Sequence, residues 1–143
     1  MPRIVIEADG GSRGNPGIAA GGAVVFDDDA GVVIAQIGVY VGHATNNVAE
    51  YNGMVAGLKY AVEHTDANVP IHVRMDSKLV VEQMSGRWKI KHPDMAVLAA
   101  EARALIGGRH VTFEWVPRLD NARADAVANR SMDLKESFIL PAS

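Results

Sequence analysis

Near Asn47 the hydrophobic period of this chain changes from two residues to about 3.6, and that switch limits what it can fold into. Upstream, Arg3–Ala8 sets Ile4, Ile6 and Ala8 against Arg3, Val5 and Glu7, a strand with two distinct faces. Ala23–Phe26 and Val32–Val41 read as two further strands, joined by a turn at Asp27–Gly31, so the first third predicts an antiparallel meander. Downstream, Val48, Tyr51, Val55, Leu58 and Val62 recur at spacings of three and four, the stripe of an amphipathic helix. Pro70–Met75 returns to a strand and Ser77–Met84 resumes helical spacing. After a connector at Gly86–Pro93, an alanine-rich helix covers Asp94–Ile106 until Gly107 and Gly108 stop it. His110–Val116 reads as the last strand and Asp120–Met132 as the last helix.

This order predicts an α/β fold: a five-stranded mixed sheet, its first three strands antiparallel, completed by two parallel crossovers, with helices on both faces. Residues 1–133 form the expected domain, and residues 134–143, which lack a clear period, read as a tail or linker. A chain of 143 residues with 48% hydrophobic and 22% charged residues can bury one core. It has no cysteine, which excludes thiolate metal sites and cysteine nucleophiles and fits a reducing compartment. With no apolar run of membrane-spanning length, the expectation is a cytoplasmic protein without a membrane partner, monomeric by default. The net charge of −3 speaks against a simple basic nucleic-acid module, yet Arg87–Lys91 sets three cations around Trp88. Divalent cations can also bridge an acidic protein to a polyanion.

Four acids fall at element ends or on helices. Asp9 ends the first strand, Glu50 lies in the first turn of the first helix, Asp76 ends the fourth strand, and Asp125 lies within the last helix. In open α/β sheets such ends are where functional groups meet. Carboxylates gathered there would repel one another unless cations joined them, and hard oxygen donors suit Mg²⁺ or Mn²⁺. Each acid also has a plainer reading. Asn47 with Glu50 matches a capping box, Asp76 could cap the helix that follows, and Asp9 could be a turn residue. Asp125 has no cap to make in mid-helix but could simply be exposed.

The segment Asp9–Gly17, DGGSRGNPG, fits neither phosphate-binding glycine motif, because no Gly-Lys-Ser/Thr is present and a strand follows where a helix is required. It reads as a hairpin loop whose amides could approach a sugar-phosphate chain.

Together, Asp9–Gly17, ATNNVAEYNG at Ala44–Gly53, MDSKLVVEQM at Met75–Met84 and WVPRLDNARADAVAN at Trp115–Asn129 closely resemble the four blocks of type 1 ribonuclease H, in the bacterial or archaeal form that lacks a basic protrusion. The resemblance runs from Ile4 to about Asp133. It implies the RNase H-like fold and an endonuclease that hydrolyses the RNA strand of RNA/DNA hybrids, such as primers and R-loops, leaving 5′-phosphate and 3′-hydroxyl ends. Asp9, Glu50, Asp76 and Asp125 match the family's metal-binding carboxylates. The implied cofactor is a pair of Mg²⁺ ions about 3.5–4 Å apart, with Mn²⁺ a substitute and Asp9 bridging the two. By the same resemblance, Thr45 and Asn47 match positions that hold a DNA-strand phosphate, and Asn46 one that meets bases in the minor groove. The backbone of Gly11 and Ser12, with Asn15, would follow the RNA strand near its 2′-hydroxyls. Trp88 matches an aromatic that packs on deoxyribose, with Arg87, Lys89 and Lys91 nearby for phosphates; its plainer reading is core packing.

Three departures carry consequences. The stretch Pro117–Ala124 lacks the histidine many members have there, which leaves Arg118 to supply an electrostatic part of its role. Ser85–Pro93 is a short connector where some members carry a basic helix, which predicts weak, salt-sensitive binding. Lys78 stands where many members have Gln, which bears on a 2′-hydroxyl contact. Similar domains also occur fused to a phosphatase-like domain. The competing functions are another nuclease on the same scaffold and a catalytically silent nucleic-acid-binding module.

Overall fold

The computed structural model describes residues 3–142; Met1, Pro2 and Ser143, which the expected ranges 1–133 and 134–143 include, lie outside the described residues. Three long strands come first: β1 (Ile4–Arg13), β2 (Gly17–Asp27) and β3 (Val32–Ala44). Helix α1 (Asn46–His64) leads to β4 (Ile71–Met75), and α2 (Lys78–Met84) and α3 (Pro93–Ile106) lead to β5 (Val111–Trp115). A 3₁₀ turn at Arg118–Asn121 runs into α4 (Ala122–Leu134), and β6 (Phe138–Pro141) closes the order.

The sheet runs β5-β4-β1-β2-β3-β6. β1 pairs antiparallel with β2 and β2 with β3, while β4 lies parallel to β1 and β5 parallel to β4. The meander and both parallel crossovers are therefore as the pattern predicts. The strand count is not: β6 is a sixth strand, antiparallel to β3, inside the stretch 134–143 that has no readable period. Four residues ending in proline are too few to show alternation, and what seats them is Phe138, which packs against the cluster of Val5, Val24, Phe26 and Val127. A second correction concerns the glycine-rich segment. Its first half continues β1 as far as Arg13, so only Gly14, Asn15 and Pro16 remain as the turn.

The two faces of β1 are buried against different helices. Ile4, Ile6 and Ala8 pack with Tyr51, Met54 and Leu58 of α1, Val80 and Val81 of α2, and Met95 and Ala99 of α3. Val5, Val24 and Phe26 meet Val127 of α4 on the opposite side. Tyr51, Met54 and Leu58 are fully buried, each worth about 1.5–3 kcal/mol of transfer from water.

Two close approaches put these helices where the acids need them. A Cβ at Gly10 would run into the backbone of Ala49 and Glu50, and one at Gly22 into the backbone of α4 at Ala124 and Ala128. Glycine at both positions lets α1 and α4 seat against the strands from opposite sides. Gly10 follows Asp9, and Gly22 is the residue that Asp9 faces across the β1/β2 ladder.

Candidate active site

Register brings the four acids together. Ala8 pairs with Met75 in the parallel β1/β4 ladder, so Asp9, which lies within β1 and does not end it, stands beside Asp76 just past the end of β4. Glu50 arrives from α1 and Asp125 from α4, each beside one of the glycine contacts just described. All four line one cleft of about 360 Å³, together with Gly10–Arg13, Asn46, Arg118 and Asn129.

The electrostatics are those of crowded like charges. Asp9 is only 7% exposed, and its carboxyl is pushed up to about 8. Burial is the main cause; Asp76 and Asp125 add to it, and the backbone amide of Gly10 opposes it. Glu50 is raised to about 7, again chiefly by burial with a contribution from Asp76, while a hydrogen bond with Ser77 pulls the other way. Among the described residues no three His, Asp or Glu side chains form a ready-made cage for an ion. The carboxylates rim the cleft instead, so an ion held there would keep much of its shell for water, as Mg²⁺ does. The donor set fits a hard divalent cation: every candidate ligand is a carboxylate oxygen, and the cost of gathering them is one that positive charge removes.

The capping readings give way to nearby hydroxyls. Thr45 caps α1, its Oγ1 accepting from the amide of Val48 at 3.3 Å, so Asn47 is not the cap and Glu50 is not spent in a capping box. Ser77 caps α2, its Oγ accepting from Val80 at 3.2 Å, which leaves the side chain of Asp76 free of that duty. Asp125 also moves. The expected helix start at Asp120 belongs to the 3₁₀ turn, so Asp125 sits in the first turn of α4 and not in mid-helix.

Asn121 is the residue that sequence reading passes over. It is 1% exposed, and its Nδ2 donates both to the carbonyl of Ala8 at 2.8 Å and to Asp76 Oδ1 at 3.0 Å. It thereby ties the 3₁₀ turn to the middle of β1 and the end of β4 and orients Asp76. The only available signal was an asparagine four residues before an acid on a helix start, a spacing with many ordinary explanations. The indole of Trp115 donates to the carbonyl of Asp76 at 3.2 Å and steadies the same strand end.

The remaining sequence-derived residues divide into two groups. Gly11, Ser12, Asn46 and Arg118 line the acidic cleft. There the amide of Ser12 donates to Asn46 Oδ1 at 2.6 Å, and the amide of Asn46 donates to Asn15 Oδ1 at 3.0 Å, which locks the β1/β2 turn to the start of α1. Thr45 instead borders a neighbouring groove of about 350 Å³ with His43 and His92, and Asn47 and Lys78 are exposed. Arg87, Trp88 and Lys89 lie on the exposed connector after α2, outside the acidic cleft. Arg87 is engaged by Glu82 at 2.6 and 3.0 Å. Trp88 is 46% exposed and belongs to neither core cluster, so core packing is not its role.

Comparison with known proteins agrees with this architecture. Residues 7–131 match the family described as reverse transcriptase-like. A bifunctional protein of Mycobacterium tuberculosis, Rv2228c, is 56% identical over 134 residues, covering 92% of this chain and 36% of that protein. The solved N-terminal RNase H domain of Rv2228c superposes with a TM-score of 0.87 at 54% identity, covering 94% of this chain and 96% of that one. Ribonuclease HI of Halobacterium salinarum is 43% identical over 92% of this chain and 65% of its own length. LC11-RNase H1, solved in complex with an RNA/DNA hybrid, superposes with a TM-score of 0.84 at 36% identity, covering 93% of this chain and 99% of that one. The chain thus spans about a third of the length of the mycobacterial relative it matches.

Proposed function

The chain belongs to the type 1 ribonucleases H, within the reverse transcriptase-like family, and from that premise we propose that it is a metal-dependent endonuclease cutting the RNA strand of RNA/DNA hybrids. The observation that carries this reading is the convergence of Asp9, Glu50, Asp76 and Asp125 on one cleft, with Asp9 buried among the other acids.

These four carboxylates would hold Mg²⁺, or Mn²⁺ in its place. When bound, two such ions supply an activated water at neutral pH and charge stabilisation for the departing 3′ oxygen, which gives 5′-phosphate and 3′-hydroxyl ends. The protein's own contribution is orientation. Asn121 fixes Asp76, so that acid enters the cleft in a set direction. Arg118 on the rim is a permanent cation beside the scissile phosphate and balances charge there without moving a proton.

Gly11, Ser12 and Asn15 form the RNA-side wall of the reading, next to the 2′-hydroxyls. Thr45, Asn46 and Asn47 serve the opposite strand and the minor groove, and Lys78, Arg87, Trp88 and Lys89 extend that contact along the duplex. LC11-RNase H1 was solved with such a hybrid, which supports this choice of partner. The enzyme would work as a monomer in the cytoplasm on R-loops and RNA primers. Residues 1–133 carry the nuclease, and residues 134–143 add β6 and lead toward any fused domain; the bifunctional Rv2228c supports that arrangement.

A substrate panel tests the reading. Labelled RNA/DNA hybrid, RNA/RNA, DNA/DNA and single-stranded RNA are incubated with Mg²⁺, Mn²⁺ or EDTA. Cutting confined to the RNA strand of the hybrid and abolished by EDTA is expected. Hybrid retention without cutting under either metal would replace this reading with the silent binding module.

A further inference from the structure

One buried polar pair links the catalytic helix to the exposed connector after α2. Tyr51 follows Glu50 on α1 and is fully buried; its hydroxyl donates to Gln83 Oε1 at 2.7 Å. Gln83, on α2, is 3% exposed and donates through Nε2 to the carbonyl of Lys89 at 3.1 Å, while its own carbonyl accepts from Arg103 of α3 at 3.3 Å. The amide of Gln83 is therefore oriented from one end by α1 and fixes the connector with the other.

The connector's other ties run back to α2: the Arg87 guanidinium bonds Glu82, and the amides of Arg87 and Trp88 donate to the Glu82 carbonyl at 2.9 and 3.2 Å. It turns at Gly86 with φ of +80°, presents Trp88 and Lys89 to solvent, and returns to the core only at Ile90. Beyond Trp88, the Gln83–Lys89 bond is the side-chain hydrogen bond that ties the segment down before Ile90. We propose that Tyr51 and Gln83 are positioning residues for substrate. They set Trp88 and Lys89 at a fixed offset from Glu50, so that a duplex gripped at the connector presents its other strand to the carboxylates. The inference rests on the nuclease reading above and adds to it a link between the grip and the cut. Ordering of the connector in the free protein lowers what binding must immobilise.

The test compares Gln83→Met with the double variant Tyr51→Phe/Gln83→Met. Gln83→Met strands the tyrosine hydroxyl in the core and should lower the melting temperature; adding Tyr51→Phe removes the stranded group and should restore most of that loss. The carbonyl of Lys89 is unheld in both. KM for the hybrid should therefore rise about three- to tenfold in both, with kcat within about twofold of wild type. The chain has two tryptophans, so the indole ¹⁵N signals of Trp88 and Trp115 can be followed separately in the free protein. Trp88 should gain mobility and Trp115 should not. A KM that recovers together with stability in the double variant would overturn the proposal. So would an unchanged Trp88 indole, whether or not the wild-type protein cuts the hybrid. Failure of the wild-type protein to cut, with Trp88 loosened as expected, would instead count against the nuclease reading.

Discussion

Asp9 carries the sharpest consequence of the cleft's charge. Its carboxyl is raised from the ordinary range to about 8, so the folded chain holds that proton more tightly than the unfolded chain does. The stability this contributes is complete below the unfolded value near 4 and is lost as pH rises through about 8. Glu50, raised to about 7, adds a loss of the same sign. Asp9→Asn cannot ionise, so in EDTA it should melt at least a few degrees above wild type at about pH 8, with the difference vanishing toward pH 4. Thermal melts across that range check this, and equal melting temperatures at about pH 8 would contradict it. Arg118→Ala should lower kcat about tenfold or more while leaving the fold intact, because its side chain is exposed on the rim. An unchanged turnover would remove Arg118 from the site. The acids themselves were legible in the sequence because each stands in a block of distinctive neighbours. Asn121 was not, because nothing in a single asparagine reveals that it will be buried between β1 and the end of β4.

Helices and strands were legible to the extent that their periods are long. The stripe from Val48 to Val62 predicts α1, and the alternation in Arg3–Ala8 predicts the start of β1. Boundaries depend on finer chemistry. Thr45, Asn46 and Asn47 are all good capping residues, as are Asp76 and Ser77, so composition leaves the choice open and packing makes it: the hydroxyl residue caps in each case. Continuation of β1 through Gly10–Arg13 was hidden by the glycines, which read as a loop although they serve close packing. That use predicts a selective lesion. Gly22→Val would drive a branched side chain into the backbone of α4, displacing the helix that carries Asp125. It should cost about 1–3 kcal/mol of stability, read by urea denaturation, and reduce activity by more than that loss of folded protein explains. Wild-type stability in this variant would mean that α4 is not seated through Gly22.

As a whole molecule the chain brings a net charge of −3 to a polyanionic substrate, with four acids in the cleft, Arg118 beside them, and Lys89 and Lys91 on the connector. About three phosphate contacts, from residues such as Lys89 and Lys91, would give a slope of about −2.7 in log binding constant against log salt. Hybrid binding measured without divalent metal should therefore be weak and moderately salt-dependent, and a slope near zero would show that phosphates are not what the connector grips. The fold level of this arrangement followed from the order of elements, whereas β6 did not, because its place depends on Phe138 packing far from its sequence neighbours. The measurement to make before any other is the single-turnover rate of RNA-strand cleavage in a hybrid, for wild type and Asp9→Asn, with Mg²⁺ and with EDTA. Metal-dependent cutting by wild type, at least about 10²-fold faster than the variant at comparable hybrid affinity, is the predicted result. Cleavage that survives EDTA, or that Asp9→Asn performs at the wild-type rate, would contradict the assignment of the four carboxylates as the reacting centre.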